Sequence, residues 1–96
     1  MKTFVVDVTQ RITVRIDETK FTAELMEDFN KSITDFGTDE YAFERHAEHI
    51  ARLAASGTDF EPHYFVEGYG YARDAGVEAF VHNNFDTDVV SKGGAA

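Results

Sequence analysis

Residues 2–17, KTFVVDVTQRITVRID, place Phe4, Val6, Val8, Ile12, Val14 and Ile16 at even positions and Asp7, Thr9, Arg11, Thr13 and Arg15 at odd ones. Alternation of this kind marks a strand with one buried and one wet face. The apolar parity runs on through Gln10, whereas a two-residue hairpin would pair i with i+3 and move the apolar set to odd positions on a second arm. Thr9, Gln10 and Arg11 also lack tight-turn chemistry. One long strand over about residues 3–16 follows.

Working outward, DETKFTAELMEDFNKSITDFG spaces Leu25, Met26, Phe29, Ile33 and Phe36 as one face of a helix, with Thr22 as N-cap and Gly37 as its stop. Phe21 and Met26 occupy the two positions of a hydrophobic staple. A second helix is predicted from Asp39 to about Ser56, ended by Gly57, with Phe43, Ala47, Ile50, Leu53 and Ala54 on its buried stripe. With only Gly37 and Thr38 between them, the helices should form an antiparallel pair or a sharp corner. Residues 60–76, FEPHYFVEGYGYARDAG, have no sustained period and read as an ordered loop with a short helical turn after Pro62. VEAFVH and FDTDVV, joined by Asn83 and Asn84, read as a terminal hairpin, because Asn tolerates the positive φ of a two-residue turn. The expected fold is α+β: a three-stranded, largely antiparallel sheet, made of the long N-terminal strand and the C-terminal hairpin, covered on one face by two helices. Residues 1–91 would form a single domain and 92–96 a disordered tail.

Ninety-six residues suffice for one domain, and 43% hydrophobic with 28% charged residues is ordinary globular usage. Eighteen Asp and Glu against nine Lys and Arg give a net charge of -9, a sign that opposes direct binding to nucleic acid or anionic lipid. The absence of cysteine excludes disulfides, thiol nucleophiles and thiolate metal sites. No apolar run approaches the roughly 18 residues of a membrane span, and the opening MKTFVVDVTQ lacks a signal-peptide core, so a soluble cytoplasmic protein is expected.

The charge is uneven. Residues 1–16 carry one acid and three bases, residues 17–61 twelve and four, and residues 62–96 five and two. Glu24, Glu27, Asp28 and Asp35 fall off the apolar stripe of the first helix, and Glu40, Glu44 and Glu48 off that of the second. Such side chains, three or four apart, have Cβ atoms roughly 5–6 Å from one another, a spacing comparable with neighbouring phosphates on one strand. The face therefore suits either competition with nucleic acid at a basic protein groove or simple solubility.

Catalytic constellations are sparse. His46 and His49 lie three apart on the second helix, with Glu48 between them in sequence, but neither H-E-x-x-H nor E-x-x-H is present, since position 43 is Phe. His46 shares the stripe of Phe43 and Ile50 and reads as a hydrogen-bonded histidine at the edge of the core. His63 and His82 are isolated in sequence. The glycines of VEGYGYARDAG fit neither the dinucleotide nor the P-loop pattern. Glu67, Tyr69, Tyr71 and Arg73 have the composition of a protein-binding loop, with packing of the tyrosines against the sheet as the alternative. No catalytic residue, metal ligand or cofactor is assigned, and a non-enzymatic protein is expected.

The order of a long alternating strand, DETKFT leading into an acidic helix, the HAEHIA helix and the FVEGYG loop, over about residues 1–76, resembles the small acidic accessory proteins of phages and prophages, among them the anti-CRISPR proteins. That class shares no single fold or signature, so no residue is carried over position by position. The resemblance implies a small inhibitor, monomeric or homodimeric, that binds a CRISPR effector, a type I surveillance complex in the favoured case, and blocks target DNA. An effector's basic channel follows nucleic-acid geometry and backbone, which an acidic surface can imitate. Glu24, Glu27, Asp28, Asp35, Glu40, Glu44 and Glu48, with Tyr69 and Tyr71, are the expected partner-binding residues. Two other readings stand beside it: a phage structural, assembly or homodimeric module that pairs through the edge of the long strand, and a small metal protein using His46 and His49.

Overall fold

The computed structural model describes residues 1–94, with the side chains of all but 83–85 and 91–94. The elements are β1 (Lys2–Ile16), α1 (Ala23–Ser32), α2 (Glu40–Ala55), β2 (Phe65–Val66), β3 (Gly70–Tyr71), α3 (Ala72–Ala75) and β4 (Val77–Gly94), an α+β arrangement. The alternating N-terminal segment is one unbroken strand of 15 residues, as its parity requires.

The antiparallel sheet contains all three expected segments, but the two C-terminal ones do not fold back on each other. Residues 77–81 pair with 12–16 of β1, and residues 85–94 pair with 2–10, so both lie collinear along the same side of β1. The predicted hairpin at Asn83 and Asn84 is therefore corrected to a bulge within β4. Between the pairs Gln10 with Phe85 and Ile12 with Val81, β4 takes four steps where β1 takes two. Because the surplus is two residues, the side-chain parity of β4 is preserved across it. A long strand whose alternation never lapses offers both segments a backbone partner, and a turn would have left half of it unpaired. The expected tail from residue 92 is likewise corrected: β4 continues to Gly94, opposite Lys2, while positions 95 and 96 lie outside the described residues.

The helices cover one face of this ribbon, but only its lower half. Ile12, Val14, Ile16, Val77 and Ala79 pack into a core with Phe21, Met26, Phe29, Ile50 and Phe60. Above the bulge the ribbon projects as an arm, and the molecule measures 58 × 25 × 20 Å along its principal axes. The opposite face, expected to be polar, is mixed: Arg15 lies 3.8 Å from Glu78 and the Thr13 hydroxyl 2.8 Å from His82 Nε2, but Val5 and Phe80, the latter opposite Thr13, stand half exposed on it.

Helix α1 begins as its sequence dictates, with the Thr22 hydroxyl accepting from the Leu25 amide and the staple residues Phe21 and Met26 both buried. It ends at Ser32, short of Gly37. Asn30 bonds the Phe36 amide through its oxygen (2.9 Å) and the Gly37 carbonyl through its nitrogen (3.0 Å), supplying partners that helical continuation would have supplied. The chain thereby turns early, and Phe36 stacks on Phe29 at 5.4 Å from the connection, not from the helix. Asn30→Ala should cost about 1–2 kcal/mol by stranding both backbone groups; a lower urea midpoint with unchanged slope would register it. Helix α2 starts at the predicted cap, where Asp39 accepts from the Ala42 amide at 3.0 Å, and ends just before Gly57. Its buried line is Ala42, His46, Ile50 and Ala54, with Phe43 and Leu53 half-buried beside it.

Candidate functional site

All seven candidate carboxylates are exposed. At 100° per residue, Glu44 and Glu48 each lie two residues from His46, on the far side of α2 from the core, and Glu24 and Asp28 stand in the same relation to Met26 on α1. Some have local duties. Glu24 and Glu40 occupy the first turns of their helices, where negative charge complements the macrodipole. Glu48 lies 3.9 Å from Arg52 one turn on. Asp35, expected on α1, sits in the connection and accepts from the Gly37 amide at 2.9 Å. Glu27, Asp28 and Glu44 make no ion pair among the described residues. They are the carboxylates whose charge is least committed to the fold.

The two tyrosines of the expected binding loop part company. The segment folds as a miniature hairpin, β2 against β3, with Tyr69 at its turn and Tyr71 opposite Phe65. Gly68 (φ 90°) and Gly70 (φ 78°) flank Tyr69 in backbone conformations that favour glycine, and a Cβ on Gly68 would lie 2.7 Å from the Phe29 ring. The turn drives Tyr69 into the core, so its assignment to a partner surface is corrected to packing. Its hydroxyl lies 2.8 Å from His46 Nδ1, and its ring stacks on Phe29 at 4.8 Å. Tyr71 remains outside, edge-on to the exposed Phe65 at 5.6 Å. Phe65 is a surface aromatic the sequence reading passed over; the alternation around Tyr69 was the available signal. It also borders a shallow groove with Ile33, His49, Leu53 and Val66, beside Glu67.

The histidines do not converge on a metal site. His46 is fully buried, ringed edge-on by Phe21, Phe29 and Phe36 at 4.7–5.0 Å, and its Nε2 has no hydrogen-bond partner among the described residues. Burial first, and the neighbouring His49 second, push its pKa down to about 4. His49 is also lowered, by burial and then by Arg52. Burial pushes the Tyr69 phenol up. The pair is thus a neutral hydrogen bond in an aromatic core. His63 pairs with Glu61 at 3.8 Å and stacks near Tyr64, apart from the others. Among the described residues, no three His, Asp or Glu side chains are grouped to hold a metal ion, and no helix is long and apolar enough to cross a membrane.

Compared with protein-family models, curated proteins and solved structures, the chain matches none.

Proposed function

We propose that this protein is a non-enzymatic inhibitor whose acidic helical surface occupies a basic, nucleic-acid-binding groove on a protein partner in the cytoplasm of a host cell. The observation that carries the reading is the segregation of charge. Residues 17–76 hold fourteen acids and five bases, whereas the strands β1 and β4 hold four of each. The whole excess of negative charge thus belongs to the segment 17–76, where all fourteen acids are exposed; seven of them stand on the helices and seven in the caps, connections and loops between them. The aromatic pair Phe65 and Tyr71 lies on the same body and supplies the apolar anchor that such an interface concentrates.

On the resemblance to anti-CRISPR proteins, the proposed target is a CRISPR effector of the type I surveillance class; an effector channel that holds nucleic acid by backbone geometry is one that an acidic surface can occupy. The test is plaquing of a targeted phage on hosts with defined active systems, paired with binding of target DNA by the purified effector. The wild-type chain should restore plaquing and displace DNA less well as salt rises. The triple variant Glu27→Lys, Asp28→Lys and Glu44→Lys spares the caps and first turns, so it should keep its circular dichroism and lose inhibition. Undiminished inhibition by that variant would remove the mimicry mechanism.

A further inference from the structure

We infer that the free edge of β1 pairs antiparallel with the same edge of a second copy of this chain, about a two-fold axis at Thr9, to give a four-stranded sheet. This pairing is independent of the inhibitory role of the helices. Each strand of the ribbon has one unpaired edge, but the two edges are not equivalent. The register shifts at Val5/Val6 and at Gln10/Ile12 both put the surplus residues in β4, and bulges of this kind blunt an edge. β1 is regular from Lys2 to Ile16, and none of its residues is fully buried. Its outward amides and carbonyls are a template for a further strand.

The charges of β1 itself identify that strand. Thr9 is the midpoint of Lys2–Ile16, so antiparallel pairing over the full length sets Lys2 opposite the partner's Ile16 and Asp7 opposite the partner's Arg11. By symmetry Arg11 meets the partner's Asp7, the self-complementarity that a two-fold interface requires. Within its own ribbon neither charge is well placed. Asp7 stands opposite Asp88, a like-charge pair that disfavours the sheet, and Arg11 falls in the register shift with no residue opposite it. Neither makes an ion pair among the described residues. Neighbouring registers that keep the alternation lose the match: centring on Asp7 or Arg11 sets like charges together, and centring on Val8 or Gln10 puts both ions opposite uncharged residues. At Thr9 even residues also meet even ones, Phe4 beside the partner's Val14 and Val6 beside the partner's Ile12. Each bare arm thereby lies alongside the covered half of its partner. The acidic bodies stand about 30 Å apart along the strands at 3.3 Å per residue, well past a Debye length of about 8–10 Å.

Sedimentation of the full chain from roughly 1 to 300 µM, the range in which a small interface titrates, should show monomer passing to a closed dimer. Asp7→Arg sets Arg against Arg and Arg11→Asp sets Asp against Asp, twice per dimer, so each should raise the dimer Kd about tenfold. Asp7→Arg also relieves the repulsion from Asp88, so a folding defect does not account for its weaker dimer. The double variant Asp7→Arg with Arg11→Asp restores opposite charges and should recover a Kd within about threefold of the wild type. A second measurement locates the axis, and the absence of native cysteine makes it clean. A short bis-maleimide should link two copies of the Thr9→Cys variant and leave Thr3→Cys, whose thiols would stand about 40 Å apart, unlinked. A monomer throughout the concentration range would overturn the proposal, as would a dimer indifferent to both single reversals or a double variant that does not recover. Equal linking at Thr3 and Thr9 would overturn it too. So would assemblies that grow past the dimer, the mark of β1 pairing with β4 in an open chain.

Discussion

Phe29→Ala should lower stability by about 3–5 kcal/mol, the cost of truncating a fully buried aromatic ring. A chain of this size has a total of roughly 5–14 kcal/mol, so the variant should sit near the edge of folding at 25 °C. The magnitude follows from where the ring lies. Phe29 is fully buried, stacked between Phe36 and Tyr69 and edge-on to both His46 and His49. Together with His46, which meets Phe36 and Tyr69 from α2, it ties α1, the connection after it, α2 and the β2–β3 turn to one another. Backbone packing between these elements offers little relief, because the turn approaches α1 by way of Gly68, which already sits against this ring. Urea unfolding followed by circular dichroism measures the loss. Phe4→Ala on the arm, more than half exposed, is the matched control and should stay within about 0.5 kcal/mol in dilute monomer. Comparable losses for the two would contradict the placement of the core.

Acidification from pH 7 to 4 should remove on the order of 3 kcal/mol through His46 alone. The buried imidazole has its pKa depressed to about 4 from an ordinary 6.5, so the unfolded chain binds the proton first. Stability is whole above about pH 6.5 and is lost as the pH falls through the interval down to 4. His49 shifts in the same direction and adds to the slope. Carboxylates titrate at the lower end and partly relieve the net charge of -9, so the informative quantity is a difference between variants. His46→Phe alone strands the Tyr69 hydroxyl in the core and should be destabilised at pH 7. The double variant His46→Phe with Tyr69→Phe removes that orphan and the unpartnered Nε2 together, and should match or exceed the wild type at pH 7. It should also flatten the decline between pH 6.5 and 4.5. A double variant as acid-sensitive as the wild type would show that the sensitivity arises elsewhere.

Local signals were legible where one residue type does one job. The even parity of β1, the Thr22 and Asp39 caps, the stop before Gly57 and the outward carboxylates of both helices all follow from spacing and side-chain chemistry. His46 as a hydrogen-bonded core histidine was legible from its neighbours on the stripe, though its partner Tyr69 was not. The misreadings share a cause: a residue with two competing uses. Asn83 and Asn84 suit a tight turn but also tolerate a bulge, and only the length of β1 on offer as a partner decides between them. Asn30 looks like one more polar position on a helix until its amide finds the backbone of residues 36 and 37. Tyr69 resembles its neighbour Tyr71 in sequence, and the glycines on either side separate their fates. How far the helices extend over the sheet is set by the whole fold, and no local pattern encodes it.

The pairing of β1 with β4 also sets the order in which this chain can assemble. Every rung of the ribbon joins residues separated by the entire helical body, from Ile16 with Val77 to Lys2 with Gly94, and such high contact order slows folding. Closing the sixty residues 17–76 is rewarded only once the aromatic core has formed, so the ribbon zips from the Ile16 end outward, each rung after the first adding little further loop entropy. During synthesis, β1 emerges before the helical body and β4 only after it. A fifteen-residue alternating strand therefore waits unpaired while the sixty residues between them are made, and that interval exposes it to aggregation.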